Sequence, residues 1–224
     1  MKFQLLTLVK GILAGLAIGV GGFLYILMSH FIEGELGKVL GSLLFSAGLF
    51  TVCTFYLSLY TGKIGLVFEK KQTKEFYISL PVMLIGNAIG AISLGYLCWA
   101  VFKDTDIMNT VNSVCEIRTN LDSFNAYLSL IVKSLLCGLC VYIAVKSFAY
   151  QRLKPVGIGL LVLFVFIFVY AGFQHCIANM FYFGFGNHFI GNTFINLVIC
   201  ILGNSLGTIP GVFLFKLIDK KSLN

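Results

Sequence analysis

In the last third of the chain, Gly172-Phe173-Gln174-His175-Cys176-Ile177-Ala178-Asn179 sets an imidazole and two amides inside an otherwise apolar run. An ionisable side chain at membrane depth is costly, so it is read as functional by default. An imidazole can donate or accept a hydrogen bond, or carry a proton. A hydroxyl-rich counterpart lies earlier, at Ser58-Leu59-Tyr60-Thr61-Gly62. His175, Thr61 and Asn179 can all donate hydrogen bonds, and Gln174 sits beside the histidine. Every Asp and Glu falls in a connection or at the end of an apolar run. No embedded acid is present to attract a cation, to relay protons in a carrier, or to serve a two-aspartate or metal-dependent protease. His30 and His188 lie near run ends, so neither a metal nor a cofactor is expected. What passes such a site should be uncharged or anionic; a structural histidine bridging two helices is the alternative reading.

The elements that must position these groups follow from hydropathy. The 224 residues are 58% hydrophobic and 11% charged, against about 25% charged in soluble domains. One hydrocarbon crossing takes about 20 apolar residues. Apolar runs extend over Leu5 to Phe31, Leu36 to Tyr60, Phe76 to Phe102, Ala126 to Val145, Val156 to Phe185 and Phe189 to Leu217. These predict an all-α integral membrane protein of six spans, one transmembrane domain over 1–224, with no soluble domain left over. The first run is too long for a signal-peptide core and is kept as a span. The short stretch before it offers little for gating by a long N-terminal helix.

Lys and Arg set the orientation. With a cytoplasmic N-terminus, the inner segments hold twelve: Lys2, Lys10, Lys63, Lys70, Lys71, Lys74, Lys146, Arg152, Lys154, Lys216, Lys220 and Lys221. The outer segments hold four, Lys38, Lys103, Arg118 and Lys133. Both termini are therefore expected in the cytoplasm, in a cell (inner) membrane. The net charge of +7 is a topology signal and does not indicate nucleic acid. Cys137-x-x-Cys140 has a metal or redox spacing, but within a lipid-embedded run it reads as packing; Cys98 and Cys115 flank the outer connection and could pair.

An internal repeat organises the spans. Ile85-Gly86-Asn87-Ala88-Ile89-Gly90 in the third matches Leu202-Gly203-Asn204-Ser205-Leu206-Gly207 in the sixth. Glycines four apart allow close backbone approach, and an asparagine between them should face protein or a pore. A repeat of three spans inverts its second copy. Repeat 1 covers about 1–103 and repeat 2 about 124–221, an architecture of channels and transporters with a site between discontinuous helices. Spans two and five should be the broken ones, at the polar stretches above. Phe45, Leu49, Phe50, Phe164 and Phe168 come one or two turns before the breaks, with Phe45 and Leu49 on one helical face.

Together these residues resemble the formate/nitrite transporter family. Gly172 to Met180 is similar to the family's Gly-Phe-Glu-His-Ser-x-Ala-Asn-Met signature; Phe45 to Leu49 and Leu59-Tyr60-Thr61 resemble its second span and Ω-shaped loop. The resemblance implies an aquaporin-like protomer with its own pore, assembled as a homopentamer. It also implies conduction of a small monovalent anion (formate, nitrite, hydrosulfide or a short monocarboxylate), with a proton as a further partner. His175 would be the central pore histidine and Thr61 the loop threonine facing it. Phe45 with Leu49 would form one hydrophobic constriction and Phe168 the other. Two departures stand out: Gln174 replaces the family's glutamate, and Gly138 occupies the place of a pore asparagine in span four, implying a roomier filter. Asp122 stands where many members carry an anion-attracting lysine, with Arg118 and Lys133 as substitutes. A hydrosulfide-selective channel and a non-transporting scaffold subunit are the competing readings; an enzyme would need a nucleophile–base pair that the sequence does not offer.

Overall fold

Lipid offers no partner for a backbone N–H or C=O, so a chain this apolar must close its hydrogen bonds within helices. A computed structural model describes residues 2–151 and 153–221. Arg152, counted above with the inner cations, lies outside the described residues, as do the side chains of Lys2, Lys220 and Lys221. The order is α1 (Lys2–Phe31), α2 (Glu35–Thr54), α3 (Tyr60–Lys63), α4 (Leu66–Glu69), α5 (Lys74–Phe102) and α6 (Ile107–Thr119), then α7 (Phe124–Tyr150), α8 (Lys154–Tyr170), α9 (Cys176–Phe185), α10 (Gly191–Leu206) and α11 (Thr208–Lys221). α1, α2, α5, α7 and the α10–α11 pair are each long and apolar enough to cross a membrane, while α8 and α9 are shorter pieces of the fifth span.

Gln4 Nε2 donates to the Glu75 carbonyl at 3.5 Å and Lys216 Nζ to that of Phe68 at 3.1 Å. The start of α1, the α4–α5 connection and the end of α11 therefore share one face, here the terminal face. Thr73 and Ser123 cap α5 and α7 by accepting the backbone N–H groups of Phe76 and Ala126, the role short hydroxyl side chains fill at helix starts.

The two middle spans end early, and in the same way. After α2, Leu57 N–H reaches the Val52 carbonyl at 2.9 Å and Tyr56 N–H that of Cys53 at 3.4 Å. After α8, Phe173 N–H reaches Phe168 at 2.9 Å and Gly172 N–H reaches Val169 at 3.0 Å. Both pairs are Schellman closures, which need a left-handed residue at the turn. Tyr56 and Gly172 supply it, at φ 51° and 69°. The chain then turns back toward the middle of the bundle and resumes as α3 or α9.

One element was not expected. The outer connection between spans three and four folds as α6, because Ile107, Val111 and Cys115, four residues apart, are all buried. Their stripe pins α6 against α1, α9 and α10, and His30 Nδ1 meets Thr110 Oγ1 at 3.2 Å. The Cys98–Cys115 pairing does not form. Both are free thiols, and Cys115 Sγ donates to the Tyr182 carbonyl at 3.3 Å.

The repeated glycines lie where helices touch backbone to backbone. A Cβ at Gly90 would run into the Ile12 carbonyl and one at Gly207 into that of Leu135; Gly86 and Gly203 face Leu8–Gly11 and Ser134 in the same way. Gly138 belongs to this set. A Cβ there would strike the Asn204 carbonyl, as one at Gly15 would strike that of Asn87. Gly138 is thus a helix-crossing residue with no room for an asparagine, which corrects its reading as a vacated pore position. Gly90→Ala should lower stability in detergent by about 1–3 kcal/mol. Gly159→Ala, at an exposed position with no atom near its Cβ, should stay within about 0.5 kcal/mol; thermal unfolding of the two proteins side by side checks the contrast.

Candidate functional site

Two re-entrant stretches, 55–59 and 171–175, carry extended backbone into the bundle, and one asparagine satisfies each. Asn87 Oδ1 accepts Tyr60 N–H at 2.8 Å, and its Nδ2 donates to the carbonyls of Gly11 at 2.8 Å and Ser58 at 2.9 Å. Asn204 Oδ1 accepts Cys176 N–H at 2.9 Å, and its Nδ2 donates to Ser134 and Gln174 at 2.9 and 2.8 Å. Ser58 N–H bonds the Lys10 carbonyl and Gln174 N–H that of Lys133, both at 3.3 Å. Bond for bond, the second half repeats the first. Both asparagines are fully buried, so they face protein.

Held this way, Thr61 in α3 and His175 ahead of α9 meet: Thr61 Oγ1 and His175 Nε2 are 2.9 Å apart, and the residues are 1% and 2% exposed. His175 is also the N-cap of α9, its Nδ1 accepting Ala178 N–H at 3.2 Å. With Nδ1 occupied as an acceptor, the neutral ring carries its proton on Nε2, toward Thr61.

The Phe168 ring stacks on His175 at 5.8 Å between centroids and meets Phe45 edge to face, also at 5.8 Å. The expected division of Phe45 and Phe168 between two constrictions therefore does not hold. The two rings touch and form one barrier, because α8 reaches past the histidine before its chain turns back. Leu49, 2% exposed, lies one turn along α2 from Phe45.

The barrier separates two cavities. One, of about 170 Å³, opens on the side of α6 and is lined by Phe45, Phe168, His175, Gln174, Arg118 and Tyr182, among others. The other, of about 200 Å³, lies toward the terminal face and is lined by Leu59, Val52, Phe148, Lys63 and Lys154. Leu59 is 1% exposed, lies two residues before Thr61 and lines the cavity toward the terminal face. It passed unnoticed in the sequence because one leucine among many carries no signal until the loop is seen to re-enter.

Asn179 lines the outer cavity, but its amide is committed elsewhere. Nδ2 donates to Gln174 Oε1 at 2.8 Å and Asn196 Oδ1 at 2.9 Å, and Oδ1 accepts Arg118 Nε–H at 3.0 Å. Asn179 therefore holds its neighbours in place, in contrast to the expectation that its donors face an anion. Asn196 donates in turn to the Arg118 carbonyl at 2.9 Å; its polarity within an apolar run was the sequence signal for it. Asp122 is exposed and away from both cavities. Lys133 lies within α7 and lines the outer cavity.

The family model described as formate/nitrite transporter matches residues 3–218. Among curated relatives, the uncharacterized transporter YrhG of Bacillus subtilis is 28% identical over 216 residues, covering 89% of this chain and 79% of its own. The formate channel FocA of Haemophilus influenzae is 24% identical over 201 residues, 80% of this chain and 66% of its own. Among solved structures, a pentameric formate channel with formate bound superposes with a TM-score of 0.80 at 24% identity, over 100% of this chain and 99% of that one. An FNT family ion channel gives 0.75 at 20% identity, over 97% and 90%. These superpositions establish the fold as an aquaporin-like bundle of two inverted three-span halves.

Replacing Asn204 by leucine strands the buried Cys176 N–H and the Gln174 carbonyl, each at a cost of about 1–3 kcal/mol, and removes a second bond to the helical Ser134 carbonyl. The expected outcome is local: peptides spanning 171–180 should exchange amide hydrogen much faster in Asn204→Leu, while those from 55–63, held by Asn87, change little. Mass-spectrometric exchange reads both together.

Proposed function

This chain belongs to the formate/nitrite transporter family, and on that footing we propose that it conducts small monovalent anions across a cell membrane, with His175 and Thr61 at the centre of the path. The observation that carries the reading is the buried Thr61–His175 hydroxyl–imidazole pair between two cavities, behind a barrier of aromatic rings. A bare anion in such a place loses its water at a cost of several kcal/mol. The barrier is therefore crossed by a species whose charge is offset by a hydrogen bond or removed by a proton.

The pair suits both. With Nε2–H donated to Thr61 Oγ1, the threonine hydroxyl proton is left to point at a passing anion. The chain His175–Thr61–anion can then move a proton outward and take one back. Cations stand at both approaches, Lys63 and Lys154 on the terminal side and Arg118 and Lys133 on the other. Gln174 keeps Asn179 oriented through its Oε1 and adds no charge.

The described cations of the terminal face, among them Lys10, Lys63, Lys70, Lys71, Lys74, Lys146 and Lys154, outnumber Lys38, Lys103, Arg118 and Lys133. That bias supports cytoplasmic termini. A five-membered ring, the assembly of the formate channel that superposes here, is proposed for this chain as well. Exposed apolar side chains along α1, α5 and α7, such as Leu13, Val20, Ile85, Ile89, Leu128 and Ile131, supply surface for both lipid and neighbouring copies.

The test is flux of formate, nitrite and hydrosulfide into liposomes containing the purified protein. His175→Phe should cut flux by more than about tenfold, the scale of losing a positioned acid–base group, and should remove the rise in flux at lower pH. Phe45→Ala should increase leak through the barrier. Unchanged flux and pH dependence in His175→Phe, with the oligomer intact, would take the histidine out of the path.

A further inference from the structure

Away from the conduit, the terminal face carries a cavity of about 200 Å³ between α4, α7 and α11, lined by three lysines, Lys70, Lys146 and Lys216, and one carboxylate, Glu69. We infer that it binds the phosphate of an anionic phospholipid from the leaflet that the terminal face borders, whatever the conduit itself carries.

The carboxylate is already engaged within the protein. Glu69 Oε1 accepts the Tyr142 hydroxyl and its Oε2 accepts Lys146 Nζ–H, both at 2.8 Å. Lys216 Nζ donates to the Phe68 carbonyl at 3.1 Å, and an ammonium group carries three donors. Lys70 Nζ meets no protein acceptor among the described residues. One negative charge thus faces three positive ones, and two positive charges stay unbalanced. The bonds to Glu69 and to Phe68 hold two of the ammonium groups in place before any ligand arrives, which lowers the cost of ordering them around one.

The rest of the wall selects a lipid over a free phosphate. Val212 and Phe215 form its apolar part, and the Phe215 ring meets Tyr142 edge to face at 6.0 Å between centroids. On the same helix, Phe213, Leu214, Leu217 and Ile218 are exposed beside Lys216. Lys216 itself stands two residues before the end of the apolar span Gly191–Ile218. A lysine at such a place lays its stem along apolar surface and lifts its ammonium group to headgroup level. A phospholipid answers both features at once, with its phosphate among the ammonium groups and its acyl chains along the exposed side of α11. A free phosphate would answer the charge and leave that side bare. Lysines gathered at the end of a span attract anionic headgroups in the same way.

The test is native mass spectrometry of the full chain in detergent, titrated with phosphatidylglycerol or with phosphatidylcholine of the same acyl chains, with and without excess inorganic phosphate. Phosphatidylglycerol should bind at least about fivefold more tightly than phosphatidylcholine, and inorganic phosphate should not displace it. Lys70→Gln, which breaks no protein hydrogen bond among the described residues, should weaken phosphatidylglycerol binding about three- to fivefold, the scale of one lysine at an anionic headgroup. Lys71→Gln makes the same charge change at the next residue, exposed and outside the cavity, and should weaken it by less than about twofold. Equal effects of the two variants, or none from either, would overturn the cavity as the site. Equal binding of the two lipids, or displacement by inorganic phosphate, would overturn the anionic lipid as its ligand.

Discussion

Two side-chain amides bear the central constraint of this molecule. An extended segment inside a bilayer exposes backbone groups that no water can reach, and it persists only where protein answers them. Asn87 and Asn204 each answer two, one N–H and one carbonyl, and tie them to a carbonyl of a neighbouring helix from a single buried position. Because each amide binds its own re-entrant stretch and the first helix of its own half, it fixes how far that stretch penetrates. The encounter of Thr61 with His175 follows from two depths set independently.

That placement explains why the centre is so sparing in polar groups. Its walls are Phe45, Phe168, Leu49 and Leu59, and its chemistry is one hydroxyl and one ring nitrogen. The second ring nitrogen caps α9, so the imidazole cannot rotate away without uncovering a helix N-terminus. The amides of Gln174, Asn179 and Asn196 form a separate layer that carries the Arg118 side chain and backbone. The polar groups are thus layered by depth: the charged side chain and its amides lie in the outer cavity, and the hydroxyl–imidazole pair lies behind the rings.

Much of this was legible in the residues. Six hydrophobic lengths, a repeated Gly-Asn motif of odd parity and a histidine amid apolar residues required a broken, inverted membrane bundle. What stayed hidden depended on where a chain goes after it stops being helical. Sequence placed polar residues near the breaks, but the Schellman closure after α2 depends on a left-handed tyrosine, Tyr56, that no composition rule anticipates, whereas the one after α8 uses Gly172. α6 was missed because its buried stripe has only three apolar residues, and averaging over polar neighbours erases it. Gly138 was misjudged because an absent side chain looks the same whether it makes room for a ligand or for another backbone.

The glycine crossings have a bearing on the surrounding lipid. α1 and α5, like α7 and α10, touch backbone to backbone at the level of the two asparagines. Helices joined at their waists respond to a thicker or thinner bilayer by tilting their free ends, where mismatch costs only fractions of a kcal/mol per Å. Lipid composition would then reshape the mouths of the conduit while its narrowest point, bolted at the waist, keeps its width.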